Sequence, residues 1–215
     1  RPSPPGRSRA LDIGCGTGKL AQALARVFRH VDGIDPADEM LEVARRRAAV
    51  SGAPSLAFHQ MSAESLDFPD GTFDFIVSVT ALHHADLPRA LAEVRRVLRP
   101  GGRFLSVDIF AYFFGMRRQP PWLTWLTTGV DFAENVVRDG PRAAWQSLRA
   151  GTTPEWLDHL NHDGYLPAPE FDAAYAAHLP GATFGRASRY FRYCLWDKRA
   201  VWASRRALCR AMRGK

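Results

Sequence analysis

Between residues 11 and 18 the chain reads Leu-Asp-Ile-Gly-Cys-Gly-Thr-Gly, after a short apolar run and before a helical pattern. A strand, a tight glycine turn and a helix together make a nucleotide-type site. The glycines let backbone approach a ligand, and the helix start presents free N–H groups. Two acids flank the turn, Asp12 at the end of the first predicted strand and Asp35 at the end of the second. Further on, His83 and His84 stand side by side just past a fourth predicted strand, where either could serve as a general base. Adjacent histidines with no third ligand at a set spacing do not make a zinc site, so no metal is expected. Asp108 closes the fifth predicted strand and reads first as a carboxylate capping the next segment. Cys15 sits inside the loop but has no base near it in sequence, so it reads as a small filler rather than a nucleophile.

Three kinds of cofactor compete for such a loop. A phosphate-cradling loop needs Gly, four residues, then Gly-Lys-Ser/Thr. Counting back from Gly18-Lys19 puts Ile13 where that glycine should be and Leu20 in place of the hydroxyl, so this reading fails. A dinucleotide loop needs Gly-x-Gly-x-x-Gly. Here Lys19 takes the third glycine's place, which counts against a pyrophosphate ligand. S-adenosylmethionine has a carboxylate and an amine but no phosphate. Asp12 offers a negative charge to that amine, and Asp35 can accept from both ribose hydroxyls.

The elements that must position these residues follow from periodicity. Ala10–Ile13, Val31–Ile34, Leu56–His59, Phe73–Val79 and Arg103–Val107 read as strands. The nearly continuous apolar run of Phe73–Val79 predicts a central parallel strand buried on both faces. Lys19–Phe28, Ala37–Val50 and Leu87–Leu98 read as helices, with Arg99-Pro-Gly-Gly102 as a turn. This alternation predicts a doubly wound α/β sheet joined by right-handed crossovers. Residues 1–9 read as a linker and 10–108 as the cofactor-binding core. Residues 109–180 form an aromatic-rich helical insertion and 181–197 the closing strands, with a turn near Ala187-Ser188. A basic helix occupies 198–215.

Five segments in order resemble the successive signatures of the class I S-adenosylmethionine-dependent methyltransferases. They are Leu11–Gly18, Gly33-Ile-Asp-Pro-Ala-Asp-Glu-Met40, Phe68-Pro-Asp-Gly-Thr-Phe-Asp74, Ala81-Leu-His-His84 and Leu98-Arg-Pro-Gly-Gly102. The resemblance covers residues 10–107 closely and the closing strands less specifically. It implies a Rossmann-like seven-stranded sheet of order 3-2-1-4-5-7-6 with the last strand antiparallel. It also implies that Gly14, Cys15 and Gly16 line the methionine part of the cofactor and that Asp35 with Pro36 holds the ribose. Met40 would pack on the adenine, Ser62 and Ala63 would lie at its edge, and Thr80 would sit under the methionine end. Ser62 is a departure, because many relatives carry Asp at that position.

Composition sets the remaining bounds. The chain has 215 residues, 46% of them hydrophobic, enough for one α/β domain with a modest insertion. No segment approaches the about 20 apolar residues of a membrane span. Three cysteines far apart fit a reduced, cytoplasmic setting. The net charge of +7 is carried mainly by arginine and reads as solvated helix faces. An RNA or DNA methyltransferase lacks support, since Ser78-Val-Thr-Ala-Leu82 replaces the Asp/Asn-Pro-Pro-Tyr/Phe type motif of base amino-group methylation. A non-catalytic cofactor-binding module is the other alternative. The leading expectation is methyl transfer to a small-molecule or lipid-like acceptor, apolar or aromatic, walled by the aromatics of Ile109–Gly115 and Pro120–Leu126. The basic terminal helix allows peripheral contact with a membrane surface.

Overall fold

A computed structural model describes residues 8–51, 55–110, 140–153, 165–188 and 190–198, with scattered positions between 126 and 137. The short apolar runs become strands β1 (Arg9–Ile13), β2 (His30–Asp35), β3 (Leu56–Gln60), β4 (Phe73–Val79) and β5 (Leu98–Ile109). The closing segment gives β6 (Thr183–Arg186) and β7 (Phe191–Asp197). Helices α1 (Lys19–Leu24), α2 (Asp38–Ser51) and α3 (Leu87–Val97) fill the crossovers. Two more, α4 (Pro141–Gly151) and α5 (Ala168–His178), follow β5.

The strands form one seven-stranded sheet in the order β3-β2-β1-β4-β5-β7-β6, the order the resemblance implied. Strands β1 to β5 pair in parallel, and β7 runs antiparallel to both β5 and β6. The strand order reverses direction between β1 and β4. An open α/β sheet takes its ligand outside the carboxyl ends of the strands at such a switch point.

Local causes are visible in each element. β4 buries Phe73, Ile76, Val77 and Ser78, as its continuous apolar run required. α3 buries Ala90, Leu91, Val94 and Val97 along one face and is capped by Asp86, which accepts from the Arg89 amide at 3.2 Å. Each fully buried leucine or valine there contributes about 1.5–3 kcal/mol, and the cap about 1 kcal/mol.

The elements depart from the sequence reading in four places. Helix α1 stops at Leu24, because the amides of Val27 and Phe28 both turn back to the Leu24 carbonyl. Phe28 still reaches the core and stacks on Phe75 with ring centroids 5.5 Å apart. β5 begins at Leu98 instead of Arg103. The Arg-Pro-Gly-Gly segment is absorbed as an irregularity in the β4–β5 register opposite Phe73 and Phe75, with Gly101 at φ 88°. Arg9 belongs to β1 rather than to a linker, held by a two-pronged pair with Asp32 at 2.6 and 3.0 Å. The insertion ends earlier than residue 180. Phe110–Ala168 form a unit of their own, whereas Pro169 onward belongs with the sheet. Helix α5 docks on the sheet through Tyr175, whose hydroxyl shares a hydrogen bond with Ser106 at 2.9 Å, and through Asp172, which pairs with Arg192.

The closing hairpin turns at Ala187-Ser188, as expected, with both amides bonding to the Phe191 carbonyl. Residues 1–7, the aromatics of 111–125 and the expected basic helix beyond Lys198 lie outside the described residues. Among the described residues no helix is long and apolar enough to cross a membrane.

Candidate functional site

At the carboxyl end of β1 the chain turns sharply, and Gly14, Gly16 and Gly18 all take positive φ, at 70°, 50° and 74°. Such angles suit glycine alone without strain. Two successive amides, those of Gly14 and Cys15, donate to the Ile34 carbonyl at 2.9 Å and pin the turn to β2. A Cβ on Gly14 would overlap the Ala81 methyl group, so the loop and the segment after β4 are in direct contact. That contact comes just after Thr80, the one non-glycine with positive φ among the described residues, at 52°. Its amide is anchored to the Val107 carbonyl at 2.9 Å. Backbone strain of this kind costs about 1–3 kcal/mol and concentrates at functional sites.

Asp12 lies beneath the turn and is buried. Its Oδ2 has no hydrogen-bond partner among the described residues. Burial pushes this carboxyl up to about 7; an amide bond from Ala21 opposes the shift and the nearby charge of Asp35 adds to it. A buried carboxylate with an unused oxygen fits a cationic amine, which would satisfy the orphaned atom and relieve the charge penalty together. The donor set therefore fits the amino end of S-adenosylmethionine.

Asp35 accepts the Gly16 amide at 2.9 Å on Oδ2 and the Ala37 amide at 3.0 Å on Oδ1. Each oxygen keeps a second lone pair, and the residue is only half-buried, so a diol could still be received there. The carboxylate does two jobs, since it also fixes the glycine turn. Pro36 is exposed beside it, and Met40 follows on the first turn of α2 with 46% of its surface exposed. The end of β3 is tied to the same place by the Met61 amide, which donates to the Asp35 carbonyl at 3.3 Å. Ser62 and Ala63 thus flank Asp35, but the Ser62 hydroxyl is turned onto Glu64. Glu64 in turn accepts the Asp86 amide at 2.9 Å and links the β3 loop to the start of α3. Local sequence gave no sign of that bridge.

Cys15 is buried, and burial, with the charges of Asp12 and Asp35, pushes its thiol up to about 12. A thiol so firmly protonated is no nucleophile, in keeping with a filler role. The two histidines part company. His84 is exposed, whereas the largely buried His83 places Nδ1 2.6 Å from Oδ1 of Asp108. Asp108 does more than receive the amide of the residue that follows it. It is buried and takes the His83 ring and backbone amide together with its neighbour's amide. The pair spans 25 positions in sequence, and nothing local announces it. No cluster of three metal-ligating side chains occurs among the described residues.

Comparison with known proteins bears on the family and the fold. Residues 11–106 match the family described as methyltransferase domain. An uncharacterized methyltransferase of Bacillus subtilis, YcgJ, is 45% identical over 104 residues, covering 48% of this chain and 41% of the relative. A fatty-acid O-methyltransferase of Mycolicibacterium smegmatis is 42% identical over 103 residues, 46% of this chain and 36% of that one. The chain thus spans less than half the length of either relative. In fold it is similar to the PH0226 protein of Pyrococcus horikoshii, with a TM-score of 0.61 at 18% identity, covering 89% of this chain and 82% of that chain. The family match over residues 11–106 and the order of the sheet support the reading of this chain as a class I S-adenosylmethionine-dependent methyltransferase.

Proposed function

We propose that this protein transfers a methyl group from S-adenosylmethionine to a small-molecule or lipid-like acceptor of apolar or aromatic character. The observation that carries the donor half is the unpartnered, buried Oδ2 of Asp12 beneath a glycine turn that leaves no room for a side chain at Gly14 or Gly18. Asp12 would hold the amine and Gly14 and Gly16 would border the methionine chain. Asp35 would accept from the ribose, while Met40, Ser62 and Ala63 would border the adenine. When bound, the cofactor supplies an electrophilic methyl group on a sulfonium. The chain's part is to hold donor and acceptor in line, which alone lowers the barrier substantially. The similarity to a fatty-acid O-methyltransferase supports an apolar acceptor. So does the concentration of aromatics in 109–126, since small-ligand sites are mostly apolar.

Calorimetry tests the donor half. S-adenosylhomocysteine should bind, and Asp35→Ala should weaken it roughly 10–100-fold, the equivalent of losing hydrogen bonds to a charged acceptor. Equal affinity in the variant would remove Asp35 from the ribose site. Transfer of labelled methyl into an organic-extractable product, measured with apolar acceptors, tests the other half. Binding without transfer to any of them would favour a module that holds the cofactor without using it.

A further inference from the structure

Asp108 is buried on β5, and its carboxylate collects three donors. These are the His83 amide at 3.1 Å, His83 Nδ1 at 2.6 Å and the Ile109 amide at 2.9 Å. Both oxygens of the carboxylate thus face N–H groups and act as acceptors. The His83 ring must then present its proton on Nδ1, which leaves the basic lone pair on Nε2. The charges around the pair sharpen the point. Arg192 stands opposite Asp108 in the β5–β7 register, yet its guanidinium is taken by Asp172, with Nε 2.6 Å from Oδ1. Tyr175 approaches from α5, but its hydroxyl is engaged by Ser106 at 2.9 Å. Among the described residues no lysine or arginine pairs with Asp108. Among the described residues the ring that Asp108 orients is therefore that of His83. His83 also sits in the right place. It belongs to the 3₁₀ turn Leu82–His84, directly after Ala81, whose methyl group lies against the Gly14 turn.

We propose that His83, oriented by Asp108, is the general base of the transfer, and that the acceptor is a hydroxyl of the phenol or enol class. This rests on the methyl-transfer reading above. Such a hydroxyl is still protonated at neutral pH and must lose its proton as it reacts, whereas a carboxylate is already ionised and has no use for a base. His83 takes the O–H proton on Nε2 as the oxygen lone pair forms the new C–O bond. The methyl's bond to sulfur breaks with its electron pair staying on sulfur, so the sulfonium becomes a neutral thioether. The positive charge ends on the imidazolium beside Asp108 and leaves as a proton to solvent after the product departs. His84, exposed on the same turn with its ring centroid 4.0 Å from that of His83, takes no part in the step. Asp108 is a positioning residue.

The test combines spectroscopy and turnover on the whole chain. In protein carrying ¹⁵N-labelled histidine, long-range ¹H–¹⁵N correlation should show His83 protonated on Nδ1 and bare on Nε2, and Asp108→Asn should reverse or equalise the two. A wild-type ring with its proton on Nε2 overturns the proposal without any variant. Turnover is read with 4-tert-butylcatechol and methyl 4-hydroxybenzoate as phenolic probes and dodecanoate as the carboxylate probe. Phenolic methylation should fall roughly 10²–10⁴-fold in kcat in both His83→Gln and Asp108→Asn. KM and S-adenosylhomocysteine affinity should stay within about threefold, and His84→Gln should behave as wild type. Methylation of dodecanoate alone, or of neither class by protein that binds S-adenosylhomocysteine, overturns the acceptor assignment and leaves the donor site standing. Loss of S-adenosylhomocysteine binding in wild type would instead strike the cofactor reading itself.

Discussion

At the scale of single residues the site is a set of unsatisfied demands. Asp12 is the clearest, a buried carboxyl whose burial raises it to about 7. Its ionised form is the one that should greet an amine, so S-adenosylhomocysteine affinity should rise about tenfold between pH 6 and pH 8, as calorimetry across that range would reveal. In the empty protein the sign is opposite. The folded carboxyl titrates above its unfolded value, so the stability it contributes is full below about pH 4 and is lost as pH climbs through 7. Asp12→Asn should therefore raise the melting temperature of the empty protein at pH 8 and leave it nearly unchanged at pH 4, and it should weaken the cofactor at pH 8 far more than at pH 4. A variant less stable than wild type at pH 8 would show that Asp12 has a partner in the empty fold. The positions of Asp12, Asp35 and the glycines were legible from sequence because each lies within a short signature whose spacing fixes its place at a strand end. The pairing of Asp108 with His83 and the turning of Ser62 onto Glu64 were not, since both depend on which loop ends the sheet brings together.

At the scale of elements, the contact between the loop after β1 and the segment after β4 governs whether the cradle is open. Gly14→Ala adds a methyl group where Ala81 already stands, at a φ of 70° that a side chain resists. We expect it to cost about 2–4 kcal/mol in urea unfolding, from strain and overpacking combined. Adding Ala81→Gly should recover the packing share but not the backbone share, a coupling of about 1 kcal/mol or more in a double-mutant cycle. Strict additivity would mean that the two residues do not touch. The helices and strands were read well from periodicity wherever one face is buried. The miss at the start of β5 is instructive. Pro100 and two glycines look like a stop, but the sheet accommodates them as an irregularity because Leu98 is fully buried and pairs with Phe73. Tertiary burial there outweighs a local turn signal.

At the scale of the whole molecule, the chain is a seven-stranded sheet unit interrupted by a second unit, Phe110–Ala168. A ligand that binds only the folded sheet stabilises it by mass action, about 2.7 kcal/mol at one hundred times its Kd. S-adenosylhomocysteine at that excess should raise the melting temperature of the sheet unit by about 5–10 °C, as differential scanning calorimetry would record. The same dose should do far less for Asp35→Ala. The break in βα rhythm after residue 109 falls where the second unit begins, and Pro169 onward belongs with the sheet unit. Helix α5 has its own apolar and polar anchors, Phe171, Tyr175 and Asp172, and these commit it to the sheet.

The position of that interruption carries a consequence for how such a protein can change over time. Every residue proposed for the donor side, from Asp12 to Thr80, together with the His83–Asp108 pair, is encoded in one uninterrupted stretch that ends where Phe110 begins the second unit. β5 must run its full length to deliver Asp108, and only then does the chain leave the sheet. The block that follows can lengthen, shorten or be rewritten without inserting anything between a donor residue and the strand that aims it. If the proposed assignments hold, exchanging that single continuous piece of gene would change the acceptor while the proposed donor seat and the His83–Asp108 pair are inherited intact.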